Sequence, residues 1–464
     1  MSPDDFSPFR KKMEAAGQPA VAIRIFRHYY ELLRAGQQGK VSAAEIDPVD
    51  DVPDASAFAG YRNAGEAALT RAVVVKLNGG LGTSMGMTKA KSLLPAKEGL
   101  SFLDVIVRQT LHLRRTFGVR LPLVLMNSFR THADSLEALA AYPDLTTDLP
   151  DDFLQHKVPR ILAHDYTPVA WPQEPEHEWC PPGHGDIYAA LLTSGLLDAL
   201  LARGFEHMFV SNSDNLGAVL DVDLLGYVAA ERVPFVMEVI DRSGADRKGG
   251  HLARLRDGRL MLREIAQCPD AELEEFQNVR RHRYFNANNL WVNLRTLRQV
   301  LERTDGVLGL PMIMNEKPVD PNDPSSPKVI QLETAMGAAI SVFDGARAVR
   351  VPRARFVPVK TTGDLLALWS DVYELTDDFR IVLSARRRDP SPLVDLDGRF
   401  FRQVGDLQQR FPHGAPSLVG ARRLQVRGDV RFGKGVVVEG DVSIVHAGQD
   451  PLVVADGTRL GAAT

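Results

Sequence analysis

The chain has 464 residues, 44% hydrophobic and 25% charged, an ordinary globular composition with material for about three average domains. Its 55 basic and 59 acidic residues leave a net charge of −4, which excludes a surface built to coat a polyanion, so no nucleic-acid partner is expected. Two cysteines, Cys180 and Cys268, exclude a disulfide framework or a cysteine-rich zinc site, and the polar start MSPDDFSPFR lacks an apolar signal core, so a reducing cytoplasm is the expected location.

From Val21 to Arg34, apolar side chains at Ile25/Phe26, Tyr29/Tyr30 and Leu32/Leu33 recur at three-to-four spacing, which predicts one helix with a continuous buried stripe. The Pro- and Asp-rich stretch Ile46 to Asp54 closes that unit. Arg71 to Leu77, RAVVVKL, reads as a buried strand stopped by Asn78-Gly79-Gly80. Further strands are expected over Leu121 to Met126, His207 to Ser211, Pro234 to Val239 and Leu290 to Val292, with helices over Ser101 to Arg114 and Asp186 to Leu201. The most apolar stretch, Ala189 to Leu201, is broken by Ser194, Gly195 and Asp198, so it reads as a buried helix and no membrane partner is expected. This alternation predicts an α/β sheet domain over 71–393 behind a helical segment over 1–70.

The tail, 394–464, follows another pattern. Leu424, Val430, Val436 and Val442 stand six apart, as do Val426, Phe432, Val438 and Ile444, the signature of a hexapeptide parallel β-helix. A three-strand meander is the alternative, since alternation within short strands also gives even spacings. Four hexapeptides are too few to stand alone, so the tail must dock on the sheet domain or on a second subunit, which makes a homo-oligomer through the tail an expectation.

Arginine far outnumbers lysine in the chain, yet none lies between Arg71 and Arg108, where Lys76, Lys89, Lys91 and Lys97 fall. That window holds Gly79, Gly80, Gly82 and Gly86 directly after a strand, where backbone N–H groups can approach an anion with no Cβ in the way. Its spacing fits neither the Walker loop nor the dinucleotide fingerprint, so a purely structural turn stays open beside phosphate binding. Lysines in the loop favour phosphate, because a flexible point charge can follow it as it moves. Asp214, beyond the strand HMFVS, could hold Mg2+ or simply form an Asx turn. His184 lies between Gly183 and Gly185, ahead of a helix that Asp186 could cap, and Lys360 ends the strand-like run FVPVK.

Taken together and in order, KLNGGLGTSMG with AKS, PLVLMNSF, PPGHGDIYAALLTSGLLD, FVSNSDNLGA, FVMEV, KGG, EIAQ, FNANNLW, VIQLETAMGAAI and VPVKTTGDLL resemble the eukaryotic-type UTP:glucose-1-phosphate uridylyltransferase (UDP-glucose pyrophosphorylase) family. These strings span Lys76 to Leu366. The resemblance implies a nucleotide-diphospho-sugar transferase fold: a Rossmann-like mixed sheet, a helical N-terminal segment and a small C-terminal left-handed parallel β-helix. It implies transfer of UMP from UTP to glucose 1-phosphate with Mg2+ as cofactor, giving UDP-glucose and pyrophosphate. On this basis Leu77, Asn78, Gly79 and Gly80 contact UTP, with Gly79 and Gly80 also near the sugar phosphate. Gln155 and Gly183 fall on the uridine side, and His184, Asn212, Ser213 and Asn288 on the sugar-phosphate side. Asp214 is the implied metal ligand, Lys91 neutralises the triphosphate, and Lys360 is a second catalytic, phosphate-binding lysine.

Many relatives read Gly-Pro-Lys where this chain has Lys89-Ala90-Lys91, so Lys89 could share the role of Lys91. The Pro-rich loop from Pro318 to Pro327 reads as a local elaboration. A UDP-sugar or UDP-N-acetylhexosamine pyrophosphorylase would differ in the sugar pocket, expected around Asn288, Glu238 and Glu264. A non-catalytic nucleotide-sugar sensor would not need both Lys360 and Asp214, and a hexapeptide acyltransferase would need many more coils.

Overall fold

The computed structural model of the protein describes residues 5–461. Its central element is a ten-stranded mixed sheet. The strands are β1 (Ile46–Pro48), β2 (Ala72–Asn78), β3 (Leu123–Asn127), β4 (Asp152–Leu154), β5 (His207–Asn212), β6 (Phe235–Asp241), β7 (His251–Leu255), β8 (Leu260–Arg263), β9 (Tyr284–Asn293) and β10 (Arg347–Arg350). The main path runs β1-β7-β9-β5-β2-β3-β4, while β6 bridges β9 and β10, and β8 pairs with β7. Strands β5, β2, β3 and β4 are mutually parallel, and β9 runs against β5.

The β-branched run in β2 is hydrophobic on both faces because both faces are covered. Val73 and Val75 pack into one apolar layer with Ile187 and Leu191, while Val74 joins a second with Phe209 and Trp291. Against the second layer lies α3 (Phe102–Phe117), started by a Ser101–Asp104 capping box and stopped at Gly118, whose φ of 63° suits glycine. The N-terminal helices α1 (Ser7–Ala15) and α2 (Ala20–Arg34) bury Phe9, Phe26 and Tyr30 against Val158, Ile330 and Leu332. The last three belong to a segment and a three-stranded sheet beside the main one, whose hairpin Met312–Pro318 and Lys328–Thr334 carries the Pro-rich loop at its turn.

Four local expectations are corrected or extended. The helix expected over Asp186 to Leu201 is two helices, α4 (Ile187–Thr193) and α5 (Leu196–Ala202), bent by 65° where Gly195 takes φ 74°. Among the described residues no single helix is long and apolar enough to cross a membrane, although this bent pair passes by length and composition. Asp186 does not cap α4, because its carboxylate is occupied by His156. The run FVPVK is no strand; Pro358 makes an isolated bridge to Asn215. The closing stretch from Ile46 also does more than end a unit, since Ile46–Pro48 adds an edge strand beside β7.

The tail forms parallel pairs only among its described strands, which removes the meander. Leu424 lies opposite Val442 and Val426 opposite Ile444, a step of three hexapeptides per coil, as a left-handed β-helix requires. It docks within the same chain. Leu424, Val426 and Phe432 share an apolar cluster with Leu365, Phe401 and Phe411, and the Phe411 and Phe432 rings stack at 4.6 Å. Asp371 accepts hydrogen bonds from the Leu418 and Val419 amides at 2.9 and 3.1 Å, fixing the entry to the first coil.

Three buried histidines give the fold an acid limit. Burial pushes His207 and His282 down to about 4 and His251 to about 2, the last further lowered by His282 and Arg242. The His251 and His282 rings stack at 3.9 Å. Both His282 ring nitrogens and His251 Nε2 have no hydrogen-bond partner among the described residues. Between pH 6.5 and 4 the unfolded chain binds protons that these rings in the folded chain do not, so stability falls as pH falls through that window. Thermal melts should therefore show Tm falling as pH falls from 6.5 through about 5, above the range where ordinary carboxylates protonate; a flat profile would contradict it.

Candidate functional site

The parallel strands β5, β2, β3 and β4 all end on one edge of the sheet, where open α/β sheets bind ligands. In register there, Asn212 lies beside Leu77, Asn78 beside Asn127, and Asn127 beside Leu154. The loop after β2 begins at Gly79. A Cβ there would come within 2.8 Å of Gln155 Nε2, so glycine lets the Gln155 amide lie flat on the loop. At Gly80 a Cβ would meet nothing within 4 Å, which leaves this backbone open to a ligand. The Asn78 Nδ2 donates to Asn127 Oδ1 at 2.7 Å and Ser135 Oγ at 2.8 Å.

Beyond β5, the Ser213 amide donates to Leu77 O at 3.1 Å and joins the two parallel strand ends. Asp214 accepts from Lys91 Nζ at 2.7 Å, and the Lys91 amide donates to Gly80 O, folding the lysine segment back over the glycine loop. Lys89 is exposed and Lys91 is the lysine brought to Asp214. The Val359 amide donates to Asp214 O at 3.1 Å, which carries Lys360 to the same end of the sheet. Lys360 stands just before a Thr361–Asp364 capping box, and its own amide donates to Asp364 at 2.9 Å. Its charge partly offsets the burial that raises the Glu264 carboxyl.

Gly183 takes φ 81° with Thr334 O 2.4 Å from where a Cβ would sit, so only glycine fits between this loop and the neighbouring strand. The Met336 amide donates to His184 Nδ1 at 3.0 Å. Nδ1 is therefore the acceptor, and the ring proton sits on Nε2. Burial lowers His184 to about 4, so near pH 7 it offers a neutral N–H donor. Asn288, at φ 56°, donates from Nδ2 to Asn212 Oδ1 at 2.9 Å.

Three side-chain oxygens at this edge, Asn78 Oδ1, Asp214 Oδ1 and Asn288 Oδ1, are buried with no hydrogen-bond partner among the described residues. Buried polar atoms are normally paired, so these are set for a ligand. The orphaned carboxylate oxygen of Asp214 suits Mg2+, a hard cation commonly held by one or two carboxylates plus substrate phosphates. Among the described residues no group of three or more His, Cys, Asp and Glu converges on a metal. A single carboxylate is what remains, and that fits an ion which arrives with phosphate.

Glu238 departs from its expected place in the sugar pocket. It is fully buried and accepts both Arg355 Nε at 2.8 Å and Arg355 Nη2 at 2.6 Å, with Trp291 Nε1 and Asn289 Nδ2 at 2.9 Å each. The pair lies under the site. Beside it Lys76, buried and bonded to Ser211 Oγ and Ala218 O, is pushed down to about 7 by burial and by the Arg355 charge. Sequence reasoning also missed Asn127, although the polar Asn closing the apolar run LVLM was a visible signal.

The chain matches the family model described as UTP--glucose-1-phosphate uridylyltransferase over residues 23–439. It is 43% identical to the UTP--glucose-1-phosphate uridylyltransferase of Solanum tuberosum, covering 84% of this chain and 80% of that protein. Against the Saccharomyces cerevisiae protein of the same name identity is 41%, over 84% and 77%. In structure it is similar to a variant of UDP-glucose pyrophosphorylase from Leishmania major solved in complex with UDP-glucose, at TM-score 0.94 and 43% identity, covering 100% of this chain and 99% of that one. A UDP-glucose phosphorylase from Trypanosoma brucei matches at TM-score 0.91 and 44% identity, over 98% of both chains.

Proposed function

The chain belongs to the UTP--glucose-1-phosphate uridylyltransferase family, and from that premise we infer that it transfers UMP from UTP to glucose 1-phosphate, releasing pyrophosphate. The observation that carries this reading for the present site is Lys91 paired with Asp214 at the end of β5, with the Lys91 amide bonded to the glycine loop and the segment carrying Lys360 tied to Asp214 O. A site for joining two polyanions needs cations and N–H donors more than a base.

The sugar phosphate is already ionised at pH 7. One of its oxygens attacks the α-phosphorus of UTP in line, the new P–O bond forms, and the bond to the β-phosphate breaks with its electron pair leaving on pyrophosphate. Lys91 and Lys360 stabilise that developing charge, and the open backbone at Gly79 and Gly80 holds the phosphates. Leu77 and Asn78 form the nucleotide side with Gln155 and Gly183; the Gln155 amide, donor and acceptor together, complements uracil. His184 donates from Nε2 on the sugar-phosphate side, beside Asn212, Ser213 and Asn288. Asp214 and the incoming phosphates would hold Mg2+, which when bound neutralises charge on the leaving group.

The domain division 1–70, 71–393 and 394–464 belongs to this reading, supported by the separate packing of α1 and α2 and by the parallel coil of the tail. The free, buried Cys180 and Cys268 support a reducing, cytoplasmic location. Exposed Val445, Leu452 and Val453 on the tail strands support contact with a second copy there. Pyrophosphate release from UTP across a panel of sugar 1-phosphates tests the activity. Glucose 1-phosphate is expected to give the highest kcat/KM, and preference for galactose or N-acetylglucosamine 1-phosphate would overturn the substrate assignment.

A further inference from the structure

We propose that the buried His156–Asp186 pair is a positioning device that locks the base-reading Gln155 to the sugar-phosphate loop Gly183–Gly185, and so sets the preference for UTP. The proposal rests on the reading of Gln155 as the uracil contact. Gln155 is held on one side by its own amide, which donates to Asn127 O at 2.8 Å. On the other side comes His156. Its backbone N–H donates to Asp186 Oδ2 at 2.7 Å and its ring meets Asp186 Oδ1 from Nδ1 at 2.8 Å. A carboxylate only accepts, so Nδ1 carries the proton. The other ring nitrogen, Nε2, meets Thr193 Oγ1 at 2.8 Å. Asp186 and Thr193 are seven residues apart, two turns on the same side of α4, so the ring lies along that helix.

Asp186 directly follows Gly185, so one carboxylate ties the segment carrying Gln155 to the loop carrying Gly183 and His184. A cavity of about 40 Å³, lined by His156, Asp186 and Gly185 with Phe26 and Tyr29 of α2, lies beside this junction, so the directional contacts there are the two hydrogen bonds to Asp186. Through them the backbone next to Gln155 is fixed, and with it the amide that lies against Gly79.

The test is kcat/KM for UTP and for CTP in five variants. Gln155→Ala and His156→Leu should each lower the UTP-over-CTP ratio, His156→Leu on the order of tenfold, since a misplaced amide discriminates less. In the double variant the two losses should not add, because both act through one amide. Asparagine places its amide nitrogen where Nδ1 was, and glutamine where Nε2 was. Thus His156→Asn should recover the ratio while His156→Gln should not. These two variants keep the test open if His156→Leu does not fold. Equal ratios in His156→Asn and His156→Gln, or an equal fall of activity with both nucleotides, would overturn the positioning role and leave the Gln155 assignment standing. An unchanged ratio in Gln155→Ala would overturn the base-reading assignment itself, and the proposal with it.

Discussion

Lys91→Ala is expected to lose about 10²- to 10³-fold in turnover while the protein stays folded. Removing one donor aimed at charge that develops in the transition state typically costs about 3 to 4 kcal/mol. Lys91 is the lysine folded over the glycine loop, with Nζ 2.7 Å from Asp214 and a side chain still 17% exposed. Because it lies in a single 3-10 turn and not in the core, its loss leaves the fold intact. Lys360→Ala should show a loss of the same order, since its segment is tied to Asp214 O through the Val359 amide. Lys89→Ala provides the contrast. Unlike Lys91 it makes no ion pair with Asp214 among the described residues, and unlike the Lys360 segment it is not tied to Asp214 O, so turnover close to the parent is expected. Steady-state kcat with UTP and glucose 1-phosphate, beside a melting curve for each variant, decides the matter; near-parental turnover in Lys91→Ala or Lys360→Ala would sink their roles.

What the sequence made legible was local. The RAVVVKL run, the glycines behind it and the interleaved hexads each encode their own structure within a few residues, and the structure has β2, its loop and the parallel coil where those patterns stand. The signal at Ser194–Gly195 was equally local but was read through as one helix, whereas Gly195 in the left-handed region makes it a bend. Long-range pairing was not legible. Asp186 stands where a capping residue belongs, yet its carboxylate is taken by the backbone N–H and ring of His156, thirty positions away. Glu238 was expected in the sugar pocket, and only the fold brings Arg355 across to neutralise it. Lys360 looked like a strand terminus, whereas the neighbouring Pro358 limits its pairing to a single bridge. The role of Gln155 came from resemblance alone; its contact with Gly79 is a product of β3 and β4 lying side by side.

Glu238→Leu is expected to destabilise the protein by about 3 to 5 kcal/mol, the range for removing one partner of a buried ion pair. Its carboxylate takes four donors, two from Arg355 and one each from Trp291 and Asn289, so all four lose their acceptor together. Two basic groups, Arg355 and Lys76, would then lose the anion they share, leaving Arg355 only Asp221 at 3.8 Å. Arg355→Met should cost less. The Arg355 charge is one cause of the lowered Lys76 pKa, so removing it lets Lys76 hold its proton more firmly and partly replace the lost cation opposite Glu238. The double variant Glu238→Leu/Arg355→Met should recover part of the loss, because neither charge is left unpaired. Denaturant unfolding reads all three. Activity should follow stability, since Arg355 O accepts from Asn215 Nδ2 and Asn215 Oδ1 accepts from the Val357 amide, the scaffold that delivers Lys360. If Arg355→Met proved the more damaging of the two single changes, Lys76 would not be compensating. The pair would then act through the shape of the 353–360 segment and not through its charge.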